Sequence, residues 1–484
     1  MSEKRSSFLR PLHGRARPPA TGSAWLGASL ALLAATGCGE GGSTDAARPL
    51  DYAPNVLLLS VDTLRADHLG AYGYSPPTSP NLDRLAAEGA LFESAFAQRS
   101  QTWPSMTSVL TSLQPREHGV RENGAKLGPG IATLPEMLKA RGYQTAAFLT
   151  NMKHAPNRGF DEKAFAKRED RDAHVNQMAL DWLRNRAREP FFGWVHYIAP
   201  HRPYAPPEVF AERFVTEYSG AVDGSYESLA AVTREQRSLD DADLAHLNGL
   251  YDAEIAYVDS LIGELLEGLS ERGLDERTLV VVVGDHGEEL YDHNFYFFHS
   301  CSIYDSTLRI PLVMRWPGRL RAETRVDGVV QSIDLAPTVL ELLGLPRPSS
   351  LSGRSLVAVL RGGPVEPDPL AAAFAEIGAE VRSIRTARWR YVENPNAHRP
   401  DCRPYRDAWA EGRRDLFYPI ARRALYDLDA DPGEGENVLD RYPKVAARLA
   451  ARLHAAFAGA PADASVVELD PDVETELREL GYIQ

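Results

Sequence analysis

NVLLLSVDT at residues 55–63 and LVVVVGDHGE at residues 279–288 are the two stretches that decide the fold of this sequence. Each is a run of apolar residues that ends abruptly at an acid, Asp62 in the first stretch and Asp285 in the second. A continuous apolar run is typical of a strand buried on both faces inside a parallel sheet. Ligands of open α/β sheets bind just beyond the carboxyl ends of the strands. The sequence therefore predicts that Asp62, Asp285 and the adjacent His286 meet around one cation.

Strand and helix patterns alternate along the chain from residue 54 to about residue 360. Helical patterns occur at residues 81–89, 134–140 and 244–269, and strand patterns at residues 142–149, 191–198 and 312–316. This alternation predicts an α/β fold with a doubly wound, mostly parallel sheet.

The composition changes near residue 363, where RGGP at residues 361–364 and EPDP at residues 366–369 are typical of a linker. Strand patterns return at residues 381–386 and 389–392, and a helical pattern covers about residues 442–457. We therefore predict a main domain over residues 54–363 and a smaller α+β subdomain over residues 364–484.

The N-terminus has the features of an export signal. A basic region is followed by a short apolar stretch at residues 24–35, too short to span a bilayer comfortably, and then by Cys38. The stretch ATGC at residues 35–38 resembles the lipobox of bacterial lipoproteins, with Ala35 in place of the usual leucine. We predict a signal peptide over residues 1–37, lipidation of Cys38, a polar tether over residues 38–53, and anchoring to a membrane facing the periplasm or the cell exterior. An ordinary secretory signal is the alternative.

The bulk composition is that of a globular protein, with 484 residues, 44% hydrophobic and 25% charged. The net charge of -14, without a basic block after the signal region, argues against nucleic-acid binding, which needs clustered lysine and arginine. Beyond Cys38, only Cys301 and Cys402 remain. Their number does not decide whether they pair.

Six motifs, in order, resemble those of the sulfatase family of the alkaline phosphatase superfamily. They are VDTLRADHLG at residues 61–70, SPNLDRLA at residues 79–86, TWPS at residues 102–105, APHRPY at residues 199–204, GDHGE at residues 284–288 and LYDL at residues 425–428. The resemblance covers most of the chain after the signal region. It implies an alkaline phosphatase-like fold with a sulfatase-like catalytic domain and metal-dependent hydrolysis of sulfate or phosphate esters.

The sequence departs from the family at its most reactive position. Thr102 stands where sulfatases carry the precursor of formylglycine, and Met106 replaces the arginine that follows. The Lys-Trp-His motif of arylsulfatases is replaced by LTN at residues 149–151, and Thr63 replaces the second acid of an Asp-Asp pair. Threonine nucleophiles are used by the similar lipoteichoic acid synthases and phosphoethanolamine transferases. Phosphonate monoester hydrolases share the Asp-His pair.

The resemblance implies a role for each site residue. Thr102 is expected to be the nucleophile, and His201 and His299 general acids or stabilisers of the leaving group. Asn123, Thr63 and Thr150 are expected to bind substrate, and we interpret His196 as a supporting or structural residue. The expected cofactor is one divalent ion (Ca²⁺, Mn²⁺ or Zn²⁺), because its ligands combine oxygen and nitrogen. They are Asp62, Thr102, Asp285 and His286.

Two other functions remain open at this point. The first is a phosphoryl-group transferase or phosphodiesterase that acts on glycans or lipids of the cell envelope. The transferases it resembles carry several transmembrane helices, whereas this chain has only a removable signal, so the sequence favours hydrolysis. The second is a catalytically inactive sulfatase-like binding protein, in which Thr102 merely caps a helix. The expected substrate is a small-molecule, glycan or lipid ester.

Overall fold

The computed structural model describes residues 52–150, 157–166, 171–235, 237–293, 298–300, 302–362, 371–377, 381–395 and 421–458. The predicted signal peptide, Cys38, most of the tether, Cys301 and Cys402 lie outside these residues. The predicted boundary at residue 363 also lies outside them, so the division into domains stays a prediction.

The described strands are β1 (Asn55–Val61), β2 (Ala90–Phe96), β3 (Gln144–Leu149), β4 (Glu162–Phe165), β5 (Phe191–Tyr197), β6 (Thr278–Gly284), β7 (Arg309–Ile310), β8 (Leu312–Arg315), β9 (Thr324–Gln331), β10 (Ala373–Ile377), β11 (Val381–Arg385), β12 (Trp389–Glu393) and β13 (Arg423–Asp427). The described α-helices are α1 (Pro80–Ala87), α2 (Thr102–Thr111), α3 (Pro115–His118), α4 (Leu134–Lys139), α5 (Arg171–Asn185), α6 (Glu208–Phe214), α7 (Tyr226–Glu235), α8 (Asp241–Glu271), α9 (Asp305–Leu308), α10 (Leu335–Leu342), α11 (Val357–Leu360) and α12 (Pro443–Phe457). None of these helices combines the length and the apolar character needed to cross a membrane.

Nine of the described strands form the main sheet, in the order β4-β3-β5-β1-β6-β8-β2-β7 with β9 paired to β2. The five strands from β4 to β6 are parallel, whereas β8 runs antiparallel to β6. A separate antiparallel sheet contains β10 to β13. The predicted fold class, a mostly parallel α/β sheet with a smaller α+β part, is confirmed.

Helices cover both faces of the main sheet, which is why its central strands are apolar throughout. All seven residues of β1 and all seven of β6 are buried. Residues of α1, α5 and α8 form the core on one face, and residues of α2 and α10 form the core on the other. The small sheet packs against α12.

The long helix α8 begins three residues before the predicted start at residue 244. Asp240 caps it by accepting hydrogen bonds from Ala242 N (3.0 Å) and Asp243 N (2.8 Å). The Asp243 side chain faces the cap backbone in return, which completes a capping box. The apolar period predicts the body of this helix, and the cap sets its true start.

Candidate active site

The two acids that end the apolar stretches lie side by side at one edge of the sheet. β1 is flanked by β5 and β6, and Val61 is in register with Tyr197 and Gly284. Asp62 N donates to Tyr197 O (3.0 Å), and Asp285 N donates to Val61 O (3.1 Å). These bonds continue the ladder beyond the strands, so both carboxylates are fixed by backbone register. Both are fully buried.

His286 lies against both carboxylates. Its Nε2 is 3.6 Å from Asp62 Oδ1 and 3.6 Å from Asp285 Oδ2. Ligands bound to one ion at about 2.1 Å are separated by roughly 3–3.6 Å. Among the described residues, His286 Nε2 and Asp285 Oδ2 make no hydrogen bond of ordinary geometry. Two carboxylate oxygens and an imidazole nitrogen therefore fit a divalent cation in distance and in chemistry.

The electrostatics of this cluster also favour a cation. Burial raises the pKa of Asp285 to about 8, although backbone N–H groups of His286 and Thr63 oppose that shift. A positive charge between the carboxylates would offset the cost of burying them in ionised form.

Thr102 opens helix α2 at the same place. Its Oγ1 lies 3.4 Å from Asp62 Oδ2. Asn123 Oδ1 accepts from Trp103 N (3.0 Å), and Ser105 Oγ donates to Asp285 O (2.5 Å). The first turn of α2 is thus tied both to the Asn123 loop and to the end of β6. The positive end of the helix dipole points towards Thr102, where an attacking oxygen would carry negative charge.

The two other predicted threonines lie nearby in different settings. Thr63 is buried with φ 51°, in the left-handed region that β-branched residues rarely adopt. Its N–H donates to Asp285 Oδ1 (3.1 Å), and its carbonyl accepts from Tyr251 OH (2.7 Å). Thr150 Oγ1 donates to His196 O (3.4 Å) at the end of β3. Thr63 thus contacts the carboxylate of Asp285, whereas Thr150 links the ends of β3 and β5.

His201 and His299 form a histidine cluster with His286. The ring centroids of His201 and His299 are 5.2 Å apart, and those of His286 and His299 are 4.5 Å apart. Burial lowers the pKa of both His201 and His299 well below the usual value for histidine. His201 Nδ1 donates to Arg202 O (2.6 Å), and His299 Nδ1 lies 3.1 Å from Glu288 Oε1. Both rings are therefore neutral at pH 7, and each acts as an acid only after taking up a proton.

Two helices hold the loop that carries His201. Asp172, in the first turn of α5, accepts from Ile198 N (2.7 Å) and Ala199 N (3.0 Å). Glu254, in α8, accepts from Ala205 N (2.9 Å). Both carboxyl groups are buried, so the loop is fixed on either side of His201.

Two residues that the sequence did not assign to the site, His196 and Glu288, lie within this arrangement. The ligand atoms of Asp62, His196 and Asp285 all lie within 4.8 Å of one another. Glu288 is fully buried beside His299, and burial raises its pKa to about 7. A polar residue near the end of an apolar strand, as in FFGWVHY of β5, is the signal that points to His196.

Arg202 brings positive charge to the histidine cluster. Its guanidinium carbon lies 4.4 Å from the Phe298 ring centroid and 5.6 Å from that of Tyr226. Its charge opposes the rise in the pKa of Glu288. The contacts with these two rings hold the Arg202 guanidinium at the site, so an ion pair with a carboxylate is not needed to position it.

Comparisons with known proteins agree with this geometry. The family model for Sulfatase matches residues 54–345 of the chain. An N-acetylglucosamine-6-O-sulfatase of Bacteroides thetaiotaomicron is 24% identical over 503 residues, covering 85% of this chain and 86% of the relative. Arylsulfatase K of Homo sapiens is 24% identical over 489 residues, covering 88% of this chain and 86% of the relative.

Solved structures show the same fold. The phosphonate monoester hydrolase of Agrobacterium radiobacter superposes with a TM-score of 0.68 at 23% identity, covering 87% of this chain and 98% of that chain. At this identity the superposition is evidence for the fold and not for the substrate.

Proposed function

Because the chain belongs to the sulfatase family of hydrolases, we propose that it cleaves sulfate or phosphate esters through a covalent intermediate on Thr102. The observation that carries the proposal is the convergence of Thr102 Oγ1 on the Asp62 carboxylate, 3.4 Å away, at the first residue of α2. A residue that merely capped this helix would not need two buried acids and a histidine beside it.

The buried acid pair supports a metal-dependent reaction. Asp62, Asp285 and His286 would hold one divalent cation, whose mixed oxygen and nitrogen ligands suit Mn²⁺ or Zn²⁺ and tolerate Ca²⁺. Such an ion makes a nearby hydroxyl more acidic and draws charge from the oxygens of the ester.

The protein's own residues act in two steps. In the first, Thr102 gives up its hydroxyl proton and its Oγ1 forms a bond to phosphorus or sulfur, while the bond to the leaving alcohol oxygen breaks and that oxygen takes up the proton. In the second, water attacks the same atom, which releases phosphate or sulfate and restores the Thr102 hydroxyl. His201 and His299, whose Nδ1 atoms lie against protein oxygens, have Nε2 for proton exchange with the substrate.

The threonine favours phosphorus over sulfur. A formylglycine diol has a second hydroxyl with which to expel sulfate, whereas Thr102 has a single oxygen, so its adduct must be cleaved by attack at the central atom. Arg202 and the amide of Asn123 would bind oxygens of the ester. If an acceptor alcohol replaces water in the second step, the same site is a transferase.

The decisive experiment compares kcat/KM of the purified full-length chain on an aryl sulfate, an aryl phosphate, an aryl phosphodiester and an aryl phosphonate. Each is measured after chelation and after addition of Mn²⁺, Zn²⁺ or Ca²⁺. Thr102→Ala is expected to reduce turnover at least about a thousandfold, and Thr102→Ser to retain part of it. Thr107→Ala is the matched control, because the Thr107 hydroxyl donates to Trp103 O (2.6 Å) within the same helix.

Mass spectrometry of acid-quenched enzyme would then locate the phosphoryl or sulfuryl group. A group on the peptide that contains Thr102 supports the covalent step. Turnover that does not depend on Thr102 would refute the covalent intermediate, and no turnover on any of the four substrates would move the assignment to the non-catalytic alternative.

We also propose that the protein is an exported lipoprotein, on the strength of the sequence at residues 1–38. Labelled fatty acid should be incorporated into the wild-type chain and lost in Cys38→Ala. An unlabelled, secreted wild-type protein would instead support an ordinary secretory signal.

A further inference from the structure

Two histidines, His286 and His196, lie beside Asp62 and Asp285, and the partners of their Nδ1 atoms differ. His286 Nδ1 lies 2.9 Å from Gly287 O. A carbonyl oxygen only accepts, so Nδ1 carries a proton, and the tautomer with that proton has its lone pair on Nε2. That lone pair faces Asp62 Oδ1 and Asp285 Oδ2, each 3.6 Å away. His286 is therefore in the tautomer of a metal ligand.

His196 has a hydroxyl, not a carbonyl, as the partner of its Nδ1. Ser60 Oγ lies 2.8 Å from His196 Nδ1 and accepts from Trp194 Nε1, also at 2.8 Å. An indole N–H only donates, so the direction of that bond is fixed. The Ser60 proton then needs an acceptor, and His196 Nδ1 is the partner that the described residues offer.

The cost of the opposite arrangement decides between the two tautomers. If Nδ1 donated to Ser60, the buried Ser60 proton would have no acceptor among the described residues, at a cost of about 1–3 kcal/mol. The lone pair on Nε2 would also face the carboxylate of Asp62, whose Oδ2 is 4.0 Å away. If Ser60 donates, its proton has an acceptor, and Nε2 carries a proton that faces the negative Asp62 Oδ2 at 4.0 Å, an attractive contact too long for a hydrogen bond. Ser60 and His196 are both fully buried, so an unpaired proton there is costly.

We propose that His196 carries its proton on Nε2, where it faces the carboxylate of Asp62, and is not a further metal ligand, with its tautomer set by Trp194 and Ser60. The two oxygens of the Asp62 carboxylate then face different groups. Its Oδ2 faces His196 and Thr102, while its Oδ1 faces His286 and the place of the cation. This inference rests on the cation of the proposed function, because the orientation matters only if Asp62 binds a metal.

The tautomer can be read directly by NMR of the full-length chain labelled with ¹⁵N and ¹³C in histidine, metal-free and loaded with Zn²⁺. The His196 signal is assigned by its absence in His196→Gln. We expect His196 to carry its proton on Nε2 in both states, and His286 to carry it on Nδ1 while its Nε2 shift moves on addition of Zn²⁺. A His196 Nε2 that is unprotonated and shifts with Zn²⁺ would make it a ligand and overturn the inference.

Zn²⁺ affinity, measured by competition with a chelator, gives a second and independent readout. His196→Gln places an amide N–H near the position of Nε2–H and is expected to keep the affinity within about threefold, whereas His196→Ala is expected to lose about tenfold or more. Equal losses in both variants would contradict a role for the Nε2 proton. Wild-type protein that binds no Zn²⁺, Mn²⁺ or Ca²⁺ would refute the cation of the proposed function and this inference together, whereas a His196 ligand would refute this inference alone.

Discussion

At the scale of single residues, the site depends on hydrogen bonds between elements that are far apart in sequence. Ser105 Oγ donates to Asp285 O (2.5 Å) and so links helix α2 to the strand end that carries Asp285 and His286. Both groups are buried, so neither has water as a substitute partner.

Ser105→Ala should therefore lower both stability and metal affinity. Removal of the hydroxyl leaves a buried carbonyl unpaired, and we expect the free energy of unfolding to fall by about 1–2 kcal/mol. Zn²⁺ affinity should fall by several-fold, because the peptide that precedes His286 loses its anchor. Urea denaturation and chelator competition measure the two effects. Thr107→Ala removes a hydroxyl bonded within α2 and should leave Zn²⁺ affinity unchanged; an equal loss of affinity there would refute the role given to Ser105.

At the scale of elements, two helices hold the His201 loop through buried carboxyl groups. Asp172 of α5 receives two backbone N–H groups before His201, and Glu254 of α8 receives one after it. Helices α5 and α8 thus fix the position of His201, although His201 itself lies in a loop.

Asp172→Ala should reduce activity through the position of His201. Ile198 N and Ala199 N lose their acceptors, and small displacements of a reacting group are costly, so we expect kcat/KM to fall by about tenfold or more. Hydrogen exchange at these two amides should accelerate. Asp172→Asn keeps one acceptor oxygen and should lie between Asp172→Ala and the wild type. Normal activity with fast exchange would show that the loop position does not matter.

Glu254→Gln should change the pH dependence of stability. Burial raises the pKa of Glu254 from 4.5 to about 8 in the folded protein. The neutral carboxyl of Glu254 contributes its full stabilisation below pH 4.5. As the pH rises towards about 8, this contribution is lost, and the free energy of unfolding falls by up to about 1.4 kcal/mol per pH unit.

The neutral amide of Glu254→Gln should abolish this loss. We expect its Tm to equal that of the wild type near pH 4.5 and to exceed it at pH 8. Glu267→Gln, at an exposed position of the same helix, is the matched control for the loss of one carboxylate. A constant offset between Glu254→Gln and the wild type across this range would contradict the assignment.

At the scale of the whole molecule, one buried arginine joins the two sheets. Arg390 lies on β12 of the small sheet and is 1% exposed. It donates to Ile303 O (2.8 Å) and pairs with Asp305 of α9 and with Glu434. The small sheet and the segment at residues 303–305 therefore share one charged network.

Arg390→Ala should destabilise the protein as one unit. It removes the arginine paired with Glu434 and leaves Asp305 with Arg385 alone, and breaking a buried pair costs about 3–5 kcal/mol. Differential scanning calorimetry should show one transition at lower temperature. Arg441→Ala, which removes an exposed pair with Glu436, is the control and should have little effect. Two separate transitions in Arg390→Ala would instead show that the sheets unfold independently.

The sequence by itself determined the α/β fold and the meeting of Asp62, Asp285 and His286. Apolar strands that end in acids place those acids at one sheet edge, because parallel strands share the direction of their carboxyl ends. Only the tertiary structure decided the surroundings of the acid pair. His196 reaches it because β5 lies beside β1, and its tautomer depends on Ser60 across that register. Arg202 is held by Phe298, from a distant loop. Such contacts arise from the order of strands and the packing of loops, which the local pattern of residues does not encode.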